Sequence, residues 1–247
     1  MADTIQSVTS ALEVLDCFAV HEELGVSDVA RRLGVAKSTA HRLLSTLAVK
    51  GIVEQSDETG KYYLGMHLYE LGQLAMSRNH LRAVALPTLA ELSRRSGLTV
   101  QLAVPDAADV IYTERLETTL GVSLMRLSGH RLPSHTTSSG KAIAAFNPAF
   151  AEARRRAGFP SRTEVTIRTV DEWDQVLDKT RKQHGAVSFD EATMGVSSAA
   201  APLHGPSGEA MAAVSLVGPA EAFRQQSGHF LQLVVAAAAA LSRSAVT

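Results

Sequence analysis

Val26-Ser27-Asp28-Val29-Ala30-Arg31-Arg32-Leu33-Gly34-Val35 runs directly into Ala36-Lys37-Ser38-Thr39-Ala40-His41-Arg42-Leu43-Leu44-Ser45-Thr46-Leu47. The first stretch reads as a short helix. Ser27 is its expected cap, because a hydroxyl there accepts from an otherwise unpaired backbone N–H. Ala30 is small enough for a second helix to cross close by, and Gly34 supplies the φ at which the chain leaves the helix. The second stretch is a helix with Ala40, Leu43, Leu44 and Leu47 on its buried face. This is the spacing of a helix-turn-helix, whose second helix enters the major groove of DNA.

The competing reading is an ordinary αα-hairpin in a core. Charge separates the two. Residues 29–53 carry Arg31, Arg32, Lys37, Arg42 and Lys50 and no acidic residue. Lys37, Ser38, Thr39, His41, Arg42 and Ser45 occupy outward positions of the second helix, and such groups suit phosphates and base edges. A merely solvated helix more often mixes both signs. The basic character is local: residues 1–65 hold six Lys/Arg against nine Asp/Glu. Binding then depends on shape and a few placed contacts rather than on bulk charge.

Outward from this unit, Gly51–Gln55 and Lys61–Gly65 are β-favouring runs around a polar tip, Ser56-Asp57-Glu58-Thr59-Gly60. They predict a hairpin, the wing of a winged helix-turn-helix. Lys61 sits where a wing meets the DNA backbone or, equally well, where an exposed turn lysine sits. Residues 7–19 precede the pair, with Val8, Leu12, Leu15 and Phe18 at helical spacing, and supply a support helix. Residues 66–77 form a further helical segment with Met66, Tyr69, Leu71, Leu74 and Ala75 apolar. It reads as a linker helix whose apolar surface needs a partner, most simply a second copy of itself. The expected organisation is a DNA-binding domain at 1–65, a linker helix at 66–78 and a second domain at 79–247.

In that second domain, residues 81–96 read as a helix stopped by Gly97, with Pro87 implying a kink or a late start. Strands are expected at 99–104, 109–116, 122–127, 186–189, 197–203 and 210–217. Helices are expected at 139–146, 149–157, 171–184 (capped by Asp171, with Trp173, Val176, Leu177 and Thr180 on one side) and 219–242, with Pro219 near the first turn. A strand meander with helices before, between and after it is an α+β layer: one mainly antiparallel sheet flanked by helices.

With 247 residues and 45% apolar content, the chain is long enough for a small domain plus a larger one. Its net charge of −1 says little about partners. The single cysteine, Cys17, excludes an intrachain disulfide and fits a reducing cytosol. It reads as a small core residue. No secretory signal and no bilayer-length apolar run is present, so the expectation is a cytoplasmic protein with no membrane partner. Ser138-Ser139-Gly140-Lys141 is not a phosphate loop, because His135 and Ala142 stand where glycine and Ser/Thr are required. The nine histidines show no metal-ligand spacing, and no Gly-x-Ser-x-Gly elbow presents a nucleophile. No cofactor is expected.

The order winged helix, linker helix and a domain with Arg131-Leu132-Pro133-Ser134-His135-Thr136-Thr137-Ser138-Ser139-Gly140-Lys141-Ala142, followed by Gly195-Val196-Ser197-Ser198-Ala199-Ala200-Ala201-Pro202-Leu203, Gly208 and Ala212–Gly218, resembles the isocitrate-lyase-regulator (IclR) family of bacterial transcription factors. The resemblance covers nearly the whole chain. It implies a GAF- or profilin-like effector-binding domain, homodimers that often pair into tetramers, and a small organic effector that alters binding to double-stranded operator DNA. Carried over position by position, it implies backbone donors at Ser138 and Ser139 before Gly140, a polar position at Ser188, Ser198 where a cysteine is frequent, and Ser215 from a Ser-x-Ser strand whose second position is Val217 here.

The residues agree in kind. Ser138, Ser139, Ser188, Ser198 and Ser215 are neutral donors and acceptors within apolar stretches, and each either faces a ligand or bonds its local backbone. Two functions follow. The first is a DNA-binding regulator modulated by a small, carboxylate-bearing or oxygenated effector. The alternative is an α/β enzyme whose N-terminal helices serve dimerisation. The acid-free basic stretch at 29–53 favours the first.

Overall fold

The computed structural model describes residues 4–19, 21–77, 80–118 and 131–244. The chain divides into two compact units, Met1–Asn79 and His80–Thr247. The strand expected at 122–127 lies outside the described residues.

The first unit opens with α1 (Gln6–Cys17), α2 (Val26–Leu33) and α3 (Lys37–Val49), followed by β1 (Val53–Gln55), β2 (Tyr62–Leu64) and α4 (Met66–Ser77). Its core gathers Val14, Phe18, Leu24, Val29, Ala30, Ala40, Leu44, Val53 and Tyr62. α2 starts two residues earlier than a Ser27 cap allows. Gly25 occupies the cap position, and the Asp28 carboxylate reaches back to accept its N–H at 3.2 Å. An acid three residues into the helix thus does what the Ser27 hydroxyl was expected to do. Gly34 ends the helix at φ +67°. β1 and β2 pair antiparallel, with Val53 opposite Leu64, and Gly60 turns between them at φ +66°. The support helix buries Val14 and Phe18, whereas Val8 and Leu12 stay 54% and 58% exposed. Helical spacing found the apolar stripe but not which part of it is covered.

The second unit is an antiparallel six-stranded sheet between helices. α5 (His80–Ser96) leads into β3 (Thr99–Asp106), β4 (Asp109–Leu116) and β5 (Arg131–Pro133), a short edge strand not anticipated from the sequence. A 3-10 turn (Ser134–Thr136) leads into α6 (Ser138–Ala145), then α7 (Pro148–Ala157), α8 (Val170–Gln183), β6 (Ala186–Phe189), β7 (Val196–His204), β8 (Ala210–Pro219) and α9 (Ala220–Ser244). The strand order is β5-β4-β3-β8-β7-β6. α5 runs through Pro87 as one helix from His80, so the late start does not occur. α8 is capped by Thr169, not Asp171. The Thr169 hydroxyl accepts the Glu172 N–H at 3.2 Å while the Glu172 carboxylate accepts the Thr169 N–H at 3.1 Å, a reciprocal box that fixes the start one residue earlier. Pro219 closes β8 rather than entering the last helix.

Period-2 alternation sorts the sheet into two faces. Val100, Leu102, Ala199, Ala201, Val214 and Leu216 pack with α5 and α9 residues such as Leu89, Phe223 and Val234. Ala103, Val110, Ala200 and Ala213 face α6 and α8, where Ile143, Trp173 and Leu177 are buried. The polar residues of the same strands, Gln101, Ser188, Ser198 and Ser215, fall on this second face by register.

Candidate functional site

Two surfaces carry the sequence-predicted residues, one in each unit. On α3, Ala40 and Leu44 are buried and anchor the helix, while Lys37, Ser38, Thr39, His41 and Arg42 are exposed. The hydroxyls of Ser45 and Thr46 turn back onto carbonyls of their own helix, the first to His41 at 2.8 Å and the second to Arg42 at 2.7 Å. Arg31, on α2, pairs with Asp28 at 2.8 Å, so its charge is partly answered within the helix. Lys61 is exposed at the foot of β2. The wing is tied to the helix that follows it. Glu54 accepts the Met66 N–H at 2.9 Å and the Tyr63 hydroxyl at 3.1 Å. Met66 and Tyr69 of that helix are 64% and 62% exposed.

In the second unit, Thr137 caps α6: its hydroxyl accepts the Gly140 N–H at 3.0 Å. The Gly140 N–H is therefore taken by Thr137. A Cβ there would stand 2.2 Å from the Ser134 carbonyl oxygen. This close approach seats the start of α6 against the 3-10 turn. Ser138 donates its hydroxyl to Ser198 at 2.7 Å, and Ser188, directly opposite Ser198 across β6 and β7, donates to the Thr136 carbonyl at 3.1 Å. Three of the serines singled out in the sequence thus converge, although 60 positions separate Ser138 from Ser198. Ser139 and Ser215 are fully buried on the same side.

Residues that the sequence pattern did not single out complete this cluster. Gln101, Tyr112, Thr136 and Thr137 line a small cavity with Ser188, Ser198 and Val217. Only about 30 Å³ of free space remains in it, room for a water molecule or two. Burial pushes the Tyr112 phenol up, while the hydroxyls of Ser139 and Thr137 facing it oppose that shift. Gln101 was legible as a polar residue in an otherwise apolar strand; which neighbours it meets depends on a strand register that sequence does not reveal. Lys141, the lysine of the discounted phosphate loop, is buried and bonded to Glu191 at 2.5 Å. Burial lowers its pKa, and Glu191 opposes that shift. No group of residues that could hold a metal ion occurs among the described residues. No helix among them is long and apolar enough to cross a membrane.

A model described as the IclR helix-turn-helix domain matches residues 7–57, and one described as the bacterial transcriptional regulator IclR C-terminal domain matches residues 73–243. The chain belongs to the IclR family. It is 37% identical over 250 residues to the glycerol operon regulatory protein of Streptomyces griseus, covering 98% of this chain and 97% of that one. It is 35% identical over 218 residues to the HTH-type transcriptional regulator XynR of Escherichia coli, covering 86% and 85%. Among solved structures, the Thermotoga maritima IclR superposes with a TM-score of 0.76 at 26% identity, over 99% and 100% of the chains. An IclR homolog from Microbacterium hydrocarbonoxydans, complexed with 4-hydroxybenzoate, superposes at 0.82 and 27% identity, over 97% and 99%. This IclR-family chain is accordingly an α+β transcriptional regulator with a DNA-binding helix-turn-helix and an effector-binding domain, and its relatives are named as regulators rather than enzymes.

Proposed function

We propose that the protein binds an operator through α3 and releases or grips it in response to a small carboxylate-bearing or oxygenated effector held at Ser138, Ser139, Gly140, Ser188, Ser198 and Ser215. Ser38, Thr39, His41 and Arg42 meet base edges; Arg31, Lys37 and Lys61 meet phosphates. The observation that carries the effector half is a polar cavity inside an apolar layer, lined by Ser188 and Ser198, with Ser138 bonded to Ser198. A bound 4-hydroxybenzoate in a structural neighbour supports it.

The size of the cavity gives the switch its physics. A ring or short acid does not fit into about 30 Å³, so binding must move the start of α6 away from β6 and β7. An effector that favours the moved arrangement shifts the balance between DNA-competent and DNA-incompetent states by its difference in affinity for them. α4 joins the two units in the chain and is the element proposed to transmit that difference. A second copy of the chain covers the exposed Met66 and Tyr69, which makes the protein at least a homodimer on a two-fold symmetric operator.

A gel shift with the DNA flanking its own gene tests this reading. Retarded bands that respond to a small hydroxy acid, from a protein that sediments as a dimer or larger at micromolar concentration, support it. A stable monomer, or DNA binding indifferent to every acid tried, counts against it.

A further inference from the structure

The α6-facing side of the sheet carries two polar rows, and they differ. In one, Val217, Ser198 and Ser188 follow one another across β8, β7 and β6. Its hydroxyls are answered within the protein, Ser198 by Ser138 and Ser188 by the Thr136 carbonyl. In the other, Arg115 on β4, Gln101 on β3 and Ser215 on β8 stand directly opposite one another. Side chains so placed lie about 5 Å apart. Gln101 is 1% exposed and Ser215 is 0%.

This second row is not answered. Among the described residues, Gln101 Oε1, Ser215 Oγ and Arg115 Nη2 are buried without a hydrogen bond. Glu117 faces the guanidinium at 3.0 Å from Nε and leaves Nη2 unbonded. Tyr112 stands near Arg115 on the same strand face. The other buried cations of this layer are spent on partners of their own, Lys141 on Glu191 and Arg154 on Asp109. Buried polar groups without partners are costly, and Arg115 Nη2, Ser215 Oγ and Gln101 Oε1, three such atoms in one row beside the cavity, define a shape: an N–H donor, a hydroxyl, and an amide that turns to present either its oxygen or its NH₂.

We propose that Arg115, Gln101 and Ser215 read the acidic end of the effector, a small monocarboxylate, while its hydroxyl-bearing end lies toward Ser138 and Ser198. The carboxylate accepts from Arg115 Nη2, from Ser215 and from the Gln101 amide, and the planar guanidinium suits that geometry. This assignment rests on the effector reading above.

Calorimetric titration of the full chain with benzoate, 4-hydroxybenzoate, glycolate and lactate, each against its neutral amide, tests it. At least one acid should bind about tenfold or more tighter than its amide, as a charge-assisted bond predicts. Arg115→Gln should erase that preference by weakening the acid and leaving the amide within about threefold, and Arg115→Lys should keep part of it. Gln101→Leu removes an unanswered acceptor, so it should weaken the acid without lowering the melting temperature, and it carries the test if Arg115→Gln does not fold. An acid preference that survives these variants but is lost in Ser198→Leu overturns the acid-end assignment and leaves the effector reading standing. A wild-type protein that prefers no acid of the set overturns both.

Discussion

The hydroxyl oxygens of Ser138 and Ser198 meet at 2.7 Å and tie the first residue of α6 to β7, the strand beside the edge of the sheet. A leucine at 198 fills the space where that bond runs and where an effector would part helix from strand. Ser198→Leu should abolish the effector response while leaving basal operator affinity near wild type. The lost response amounts to the whole coupling, typically about 1–3 kcal/mol or roughly 5- to 150-fold in affinity. Fluorescence anisotropy on labelled operator, with and without effector, measures it. A variant that still responds normally moves the pocket elsewhere; one that unfolds makes Ser198 structural.

Phosphate binding is read from salt dependence. Lys37 is exposed at the start of α3 and makes no ion pair among the described residues, so Lys37→Ala should flatten the slope of log Kd against log salt by about one for each phosphate left unneutralised. Arg31 already shares its charge with Asp28, so Arg31→Ala should flatten it less. Equal slopes for all three proteins would remove both residues from the interface.

His135 sets a pH limit on stability. It is fully buried, its Nε2 faces the Pro160 carbonyl at 3.1 Å, and burial lowers its pKa to about 4. The unfolded chain, with an ordinary value near 6.5, therefore binds more protons than the folded one between those two values. The contribution is fully present above about pH 6.5 and is lost as the pH falls toward 4, at most about 3 kcal/mol. Urea midpoints at pH 7, 5.5 and 4.5 should fall in wild type and fall less steeply in His135→Gln. Parallel curves for the two proteins would contradict this.

Gly140 leaves no room for a methyl group, since its Cβ would meet the Ser134 backbone. Gly140→Ala should cost about 1–3 kcal/mol or more through overpacking, seen as a lowered melting temperature. A melting temperature equal to wild type would show that the 3-10 turn yields freely.

The helix-turn-helix and wing were legible because their signals are local: a 3.6-residue apolar period, Gly34 after one helix, Gly60 between two β-favouring runs. Local signals also misled. Ser27 and Asp171 looked like caps, yet an acid reaching back three residues in one case and a Thr–Glu pair in the other decided both starts. The pocket serines came from resemblance to a family rather than from pattern. Gln101, Arg115 and Tyr112 join them only through the pairing of β3 with β4 and β8, and sequence does not display long-range register. Val8 and Leu12 show the same boundary: spacing marks an apolar face, while exposure depends on what packs there.

If α3 reads DNA, Arg42, exposed on that helix, touches base edges. Wild type and Arg42→Ala should be titrated by anisotropy against the DNA flanking the gene and against unrelated DNA, at one fixed salt concentration. Without its base-edge bond, operator binding should weaken by about 1–3 kcal/mol per half-site, while binding to unrelated DNA changes little. Arg42→Ala that binds the operator as tightly as wild type would take α3 out of the base-reading interface.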